Sequence, residues 1–249
     1  MVEGATFGGD EPTSPGALPK VRRLGDSWSM RATVLPSARS EVQASYARVE
    51  SPEQVTGFGL DQRKQSVSAR MISQDGARYA LAEWARTAEW DGDRNVEAFH
   101  YATALAEGAV SIRNVGIALR LEQTERPEEE RLGDLFRTPR PASDLAITGI
   151  TRWRVGTLAI TLPSVTHAVV RGYPFVEVAR STARSTTATN VFSPDLFYGS
   201  RSPWMASMGF RLRYGPSHAR MGRYGAALTN GPPIRSLGSS TDEAHEHQH

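Results

Sequence analysis

Arg31, Arg70, Arg120, Arg152, Arg154, Arg211 and Arg213, with Glu122 among them, share one kind of position: a stretch in which polar and apolar residues alternate, on the side opposite the apolar row. A guanidinium stays charged at any physiological pH and presents a rigid fork of N–H donors. A file of such groups supplies a fixed positive field that biases the passage of ions, here toward anions, and offers no proton relay. The same charges could instead pair with one another and hold a narrow enclosure shut. A second chemistry sits at the C-terminal end, where His245, His247 and His249 stand at alternate positions beside Glu243 and Glu246. Imidazoles in that pattern can take Cu(II), Ni(II) or Zn(II), although ordinary solvated polarity explains them as well. Acid–base catalysis has little to work with. His100, His167 and His218 are isolated, no G-x-S-x-G occurs, and no Gly-rich loop opens a helix, so neither a catalytic residue nor a cofactor is expected.

The elements that would position the arginines are β-strands. In "WMASMGFRLRYG", Trp204, Ala206, Met208, Phe210, Leu212 and Tyr214 fall on one face and Met205, Ser207, Gly209, Arg211 and Arg213 on the other, because successive strand side chains point to opposite sides. "SWSMRATVL" sets Trp28, Met30, Ala32 and Val34 against Ser27, Ser29, Arg31 and Thr33. "SVSARMIS" and "NVGIALRLEQTE" repeat the period with Val67, Ala69 and Met71, and with Val115, Ile117, Leu119 and Leu121. Less regular candidates lie at 2–8, 41–49, 78–90, 97–110, 145–161 and 168–180, for about ten strands in all. The stretch 78–110 also suits two helices by its Ala, Glu, Leu and Arg content, with Leu81, Ala85 and Ala88 on one helical face. The turn "WDGD" inside it and the strand-like flanks favour strands. "RPEEERLGDLF" has the marks of a short helix, with Pro127 in its first turn and acids at its positive end.

Connections alternate in length. Short ones fall near 36–40, 74–77, 111–114 and 163–167, long ones at 9–26, 50–62, 125–144 and 181–203, and a middling one at 91–96. An up-and-down antiparallel barrel gives this rhythm, with tight turns at one end and loops at the other, whereas a Greek-key sandwich has no reason to. Most candidates reach the 9–11 residues a tilted strand needs to cross a bilayer. Trp28, Tyr46, Trp84, Trp90, Trp153, Trp204 and Tyr214 near strand ends or on apolar faces fit interfacial girdles, and large aromatics also cap the ends of soluble β cores. The apolar rows therefore face either lipid or a soluble core.

The chain of 249 residues can bury a sizeable core as one or two domains. Lys20 and Lys64 are its only lysines, its formal charge is +2, and no basic run forms a nucleic-acid patch. It has no cysteine. No segment is apolar enough for a transmembrane helix, and a mean hydropathy of -0.42 leaves a barrel open, since only alternate strand residues need be apolar. The first 20 residues lack a basic region followed by an apolar one, so no secretory signal is read there. Residues 1–215 are expected to be the β portion and 216–249, rich in Gly, Pro and Ser, a flexible His-containing tail.

"VEGATFGGDEPTSP", "GDSWSMRATVLP", "LDQRKQSVSAR", "LFRTPRP", "PFVEVARS" and "FYGSRSPW" together resemble segments of porin-like outer-membrane β-barrel proteins of Gram-negative bacteria, an uncharacterised group, over most of 1–225. The resemblance implies the C-terminal portion of a larger barrel, closed or as an open curved sheet, in an outer membrane. It also implies a lipid-facing surface carrying Trp28, Met30, Trp204, Met208, Phe210, Leu212 and Tyr214. Its arginine-lined lumen would pass small polar solutes. A non-conducting barrel whose tail gathers divalent metal, and a soluble all-β binding domain, are the other readings. One departure stands out: 35 residues follow Tyr214, where such barrels usually end on a terminal aromatic strand.

Overall fold

The computed structural model describes residues 1–10, 20–53, 59–129, 147–167, 170–186 and 193–214. Eleven strands form within them: β1 (Val2–Phe7), β2 (Ser27–Ser37), β3 (Ser40–Val49), β4 (Asp61–Ile72), β5 (Arg78–Asp91), β6 (Val96–Ile112), β7 (Val115–Glu129), β8 (Ile147–Thr161), β9 (Val165–His167), β10 (Val170–Ser185) and β11 (Trp204–Tyr214). A 3-10 turn at Val21–Arg23 and a short helix α1 (Pro194–Tyr198) lie in two of the long connections. All strands join one antiparallel sheet in the order β1-β2-β3-β4-β5-β6-β7-β8-β10-β11, with β9 adding to β10. Each strand of that path pairs with the next along it, so the topology is an up-and-down meander with no Greek-key crossing. The sheet is open, its path ending at β1 and β11.

The 78–110 segment is a hairpin of two long strands. Its turn is tight enough to need Asn95 at φ 52°, a left-handed position that asparagine tolerates better than most residues. The β6–β7 turn is tighter still, with Arg113 at φ 49° and Asn114 at φ 67°, the pair of positive φ values that matches a two-residue loop to strand twist. Two expectations change at their edges. Pro127 continues β7 opposite Ile150 of β8 instead of opening a helix, while the rest of that expected helix, 130–136, lies outside the described residues. The β6–β7 ladder has already ended at Thr103–Thr124, so the missing N–H of Pro127 leaves no partner wanting on that side. Nor is 163–167 simply a turn, because Val165–His167 return as β9 against Val170–Gly172 and carry the hairpin closer to its end.

Directly opposed residues of an antiparallel pair share a face, so the registers carry one face across the whole sheet. Starting from Met208 it runs through Val176, Ile160, Ile117, Val110, Arg78, and on through Met71, Val42, Val34 and their alternates. Among these Val34, Val42, Met71, Leu119, Leu121, Leu158, Val176, Met208, Phe210 and Leu212 are exposed. The opposite face holds most of the buried groups, including Thr33, Glu41, Gln62, Glu89, Glu107, Thr151, Thr157, Ala159 and Ala183. With no second layer among the described residues, these side chains can be buried only by one another. The sheet therefore curls with its polar face inward, as a partial barrel.

Candidate functional site

On the polar face the charges meet across neighbouring strands. Arg31 of β2 holds Glu3 of β1 at 2.7 Å, and Arg70 of β4 holds Glu41 of β3 at 2.5 Å. Gln62 donates to Glu89 at 2.9 Å. Glu107 accepts from the Tyr79 hydroxyl at 2.5 Å and lies 3.9 Å from Arg120, whose other nitrogen reaches Glu122 at 2.8 Å. Toward the long-connection end Thr151 donates to Glu128 at 2.5 Å, and Arg126 lies 3.4 Å from the same carboxylate. Arg211 lies over the Phe175 ring at 4.5 Å, a cation–π contact, and the backbone of Arg213 is in register with Arg171. The face is thus a lattice of opposite charges rather than a file of arginines. Glu122 was legible from the alternation of β7, but Glu41 and Glu107 were hidden because β3 and β6 alternate less cleanly than β2 or β4.

Of the residues expected there, Arg31, Arg70, Arg120, Glu122, Arg211 and Arg213 lie on the polar face. Arg152 and Arg154 do not. Opposite Glu125 and Gln123 of β7, and opposite Arg184 and Thr182 of β10, they share the face of Leu158 and Ile160, and Trp153, expected in a girdle, takes the polar side. Within β8 the apolar residues change phase, Trp153 and Val155 on one side and Leu158 and Ile160 on the other, so alternation alone could not fix that end of the strand.

The apolar face has internal order. Trp28, Met30, Trp204, Met208, Phe210 and Leu212 all lie exposed on it, with Tyr214 in register with them, and Met208 is 86% and Phe210 70% exposed. Over β7, β8 and β10 the band consists of Ile117, Leu119, Leu121, Leu158, Ile160, Val176 and Val178 without a charge. Above it, toward the long connections, the same face turns polar with Arg48, Arg63, Arg86, Glu125, Arg152, Arg154 and Arg180. Aromatics mark the boundary: Trp28 lies 5.3 Å from Tyr46, Arg63 lies 3.5 Å over Trp90, and Arg180 lies 5.3 Å over Trp204.

Two long connections are clasped at that end. The buried Arg23 guanidinium donates to Asp26 at 2.7 Å, to the Ser51 carbonyl at 3.1 Å and to the Glu50 carbonyl. Gly9 N donates to Asp26 at 2.8 Å, and a Cβ at Gly9 would come within 2.6 Å of the Glu50 carbonyl oxygen, so only glycine fits. Desolvation pushes the Asp26 carboxyl up, but the hydrogen bonds from Arg23, Ser27 and Gly9, with the Arg23 charge, outweigh it and hold the group below the usual carboxylate range.

Among the described residues no group of three or more His, Cys, Asp or Glu could hold a metal ion. His245, His247 and His249 lie outside the described residues, as does all of 215–249. His100 stands beside Glu97 at 2.6 Å on the exposed side of β6, and His167 ends β9. No protein-family model matches the chain, and no curated protein or solved structure is significantly similar to it.

Proposed function

We propose that this chain is the wall of a porin-like barrel in a bacterial outer membrane, through which small polar solutes pass passively. The observation that carries the reading is the inversion of the usual arrangement: large apolar side chains are exposed on one face while the charges are gathered on the enclosed face. A water-soluble protein leaves few contiguous apolar patches of that extent, whereas a lipid-facing strand surface requires one, bounded by aromatics. Because carboxylates answer the arginines on the polar face, the expected ion selectivity is weak, not the anion preference that the arginines alone imply.

The test is single-channel recording of the refolded chain in planar bilayers, with heat-modifiable migration in detergent gels as the check on folding. Discrete conductance steps with a reversal potential near zero in a salt gradient support the proposal. A heat-modifiable protein that gives no steps overturns the channel.

That second outcome has its own support. Glu41–Arg70 and the Glu107–Arg120–Glu122 group brace neighbouring strands of the enclosed face. About ten strands also leave little free lumen. The non-conducting alternative is an outer-membrane barrel acting as a structural surface protein, or gathering divalent metal through its His tail. A chain that migrates identically with and without heating, and stays in solution without detergent, would instead be a soluble β-sheet binding domain.

A further inference from the structure

We infer that a groove on the apolar face, where the band meets the arginine rim, seats an anionic phospholipid, its phosphate on Arg154 and Arg180 and its chain along the strands below. The inference rests on reading that face as lipid-facing. Two adjoining cross-strand rows build the groove: Ala106, Leu121, Gly156 and Arg180 in the lower, and Ala104, Gln123, Arg154 and Thr182 in the upper. Alanine at 104 and 106 and glycine at 156 lower the floor between bulkier neighbours, leaving a shallow groove that is widely open to its surroundings.

Its polar end carries charge that no described carboxylate answers. Arg152, one step further from the band, is held by Glu125 at 2.6 Å, and Arg86 on the same face is held by Glu97 at 2.8 Å. Arg154 has only the neutral Gln123 side-chain oxygen, at 3.0 Å, and Arg180 only the Ser202 hydroxyl, at 3.1 Å, beside the Trp204 ring. Neither has a carboxylate partner among the described residues, and both are exposed. A guanidinium at the edge of hydrocarbon snorkels to headgroup level, where anionic lipid attracts it, and its fork matches two phosphate oxygens. The apolar row below, Leu119, Leu158 and Val178, offers a track for an acyl chain. The complementary ligand carries an anionic phosphate on a hydrocarbon tail. Phosphatidylglycerol is its simplest form.

The experiment uses the full chain refolded into nanodiscs of phosphatidylcholine with a minor fraction of phosphatidylglycerol, its insertion checked by heat-modifiable migration. Lipids retained on release into mild detergent are counted by native mass spectrometry. Wild type and an Arg22→Gln/Arg94→Gln control, which removes the same charge far from the groove, should retain phosphatidylglycerol selectively. Arg154→Gln/Arg180→Gln should weaken that retention about 10- to 30-fold, as expected for two arginines at an anionic surface. Equal retention by all three inserted proteins overturns the site and leaves the membrane reading standing. Displacement of the lipid by millimolar inorganic phosphate also overturns it, assigning the arginines to a free anion. A chain that never enters the nanodisc ends both.

Discussion

Among the described residues Glu41 is the bulkiest fully buried side chain, 1% exposed, and one oxygen of its carboxylate takes Arg70 at 2.5 Å and Gln43 at 2.6 Å while the other has no hydrogen-bond partner there. Removing the cation would leave a buried, half-satisfied charge. Arg70→Ala should therefore lower unfolding stability by about 3–5 kcal/mol, with Glu41→Gln/Arg70→Met recovering most of the loss. Denaturant midpoints followed by tryptophan fluorescence in detergent decide it, and equal losses in the single and double variants would refute the pairing. Asp26 gives a pH dependence. Its folded-state pKa is depressed, so its contribution is present above the unfolded carboxylate value and is lost as pH falls through the folded one. The clasp between the two long connections should loosen only in acid, read as a lower protection factor at the Gly9 amide once the intrinsic exchange rate at each pH is divided out. Asp26→Asn should reproduce that loosening at neutral pH. Unchanged Gly9 protection in both conditions would show that Asp26 does not hold the clasp.

At the scale of elements, the strands are longer than a bilayer needs. β6 has 17 residues and β10 has 16, against about 9–11 for a tilted crossing, and on β7 the apolar row stops at Leu121 before Gln123 and Glu125. The upper parts of these strands thus stand clear of the band. Leu158, between Leu119 and Val178 in register, marks the middle of the band on its three strands. Leu158→Arg should cost about 2–4 kcal/mol of folding stability in lipid vesicles, while Ser207→Arg on the polar face of β11 should cost little. If the two substitutions cost the same, the apolar face does not meet hydrocarbon. Register also explains the tolerance of Pro127: outside the β6 ladder, a strand can carry a proline that a central position would reject.

For the whole molecule, the open sheet matters most. Strands β1 and β11 end the path, and each edge offers a row of backbone donors and acceptors to another chain. The isolated chain in detergent should therefore associate, running above monomer mass in light scattering coupled to size exclusion. Amide exchange should be fast along one side of β11 in whatever fraction remains monomeric. A monodisperse monomer with every β11 amide protected would mean that the two edges find each other. The enclosed face shifts expectations at this scale too. Seen as arginines alone it predicts an anion-selective lining, but the register sets Glu41, Glu107 and Glu128 among them and the field largely cancels.

What the sequence determined by itself was whatever depends on consecutive residues. The two-residue period in β2, β4, β7 and β11 fixed which side chains share a face, and the "WDGD" turn with the short connections near 74–77 and 111–114 set where the chain reverses. The long and short connections gave the meander, since a chain that reverses every dozen residues pairs most simply with its neighbour. Tertiary structure decided what depends on strands distant along the chain. The side taken by Arg152 and Arg154, the continuation of β7 through Pro127, the short β9 and the partner of each arginine all follow from register against other strands. The physical reason is one of range. Alternation is imposed residue by residue by backbone geometry, while the meeting of Glu41 with Arg70 depends on how two strands slide past each other, which no window along one of them contains.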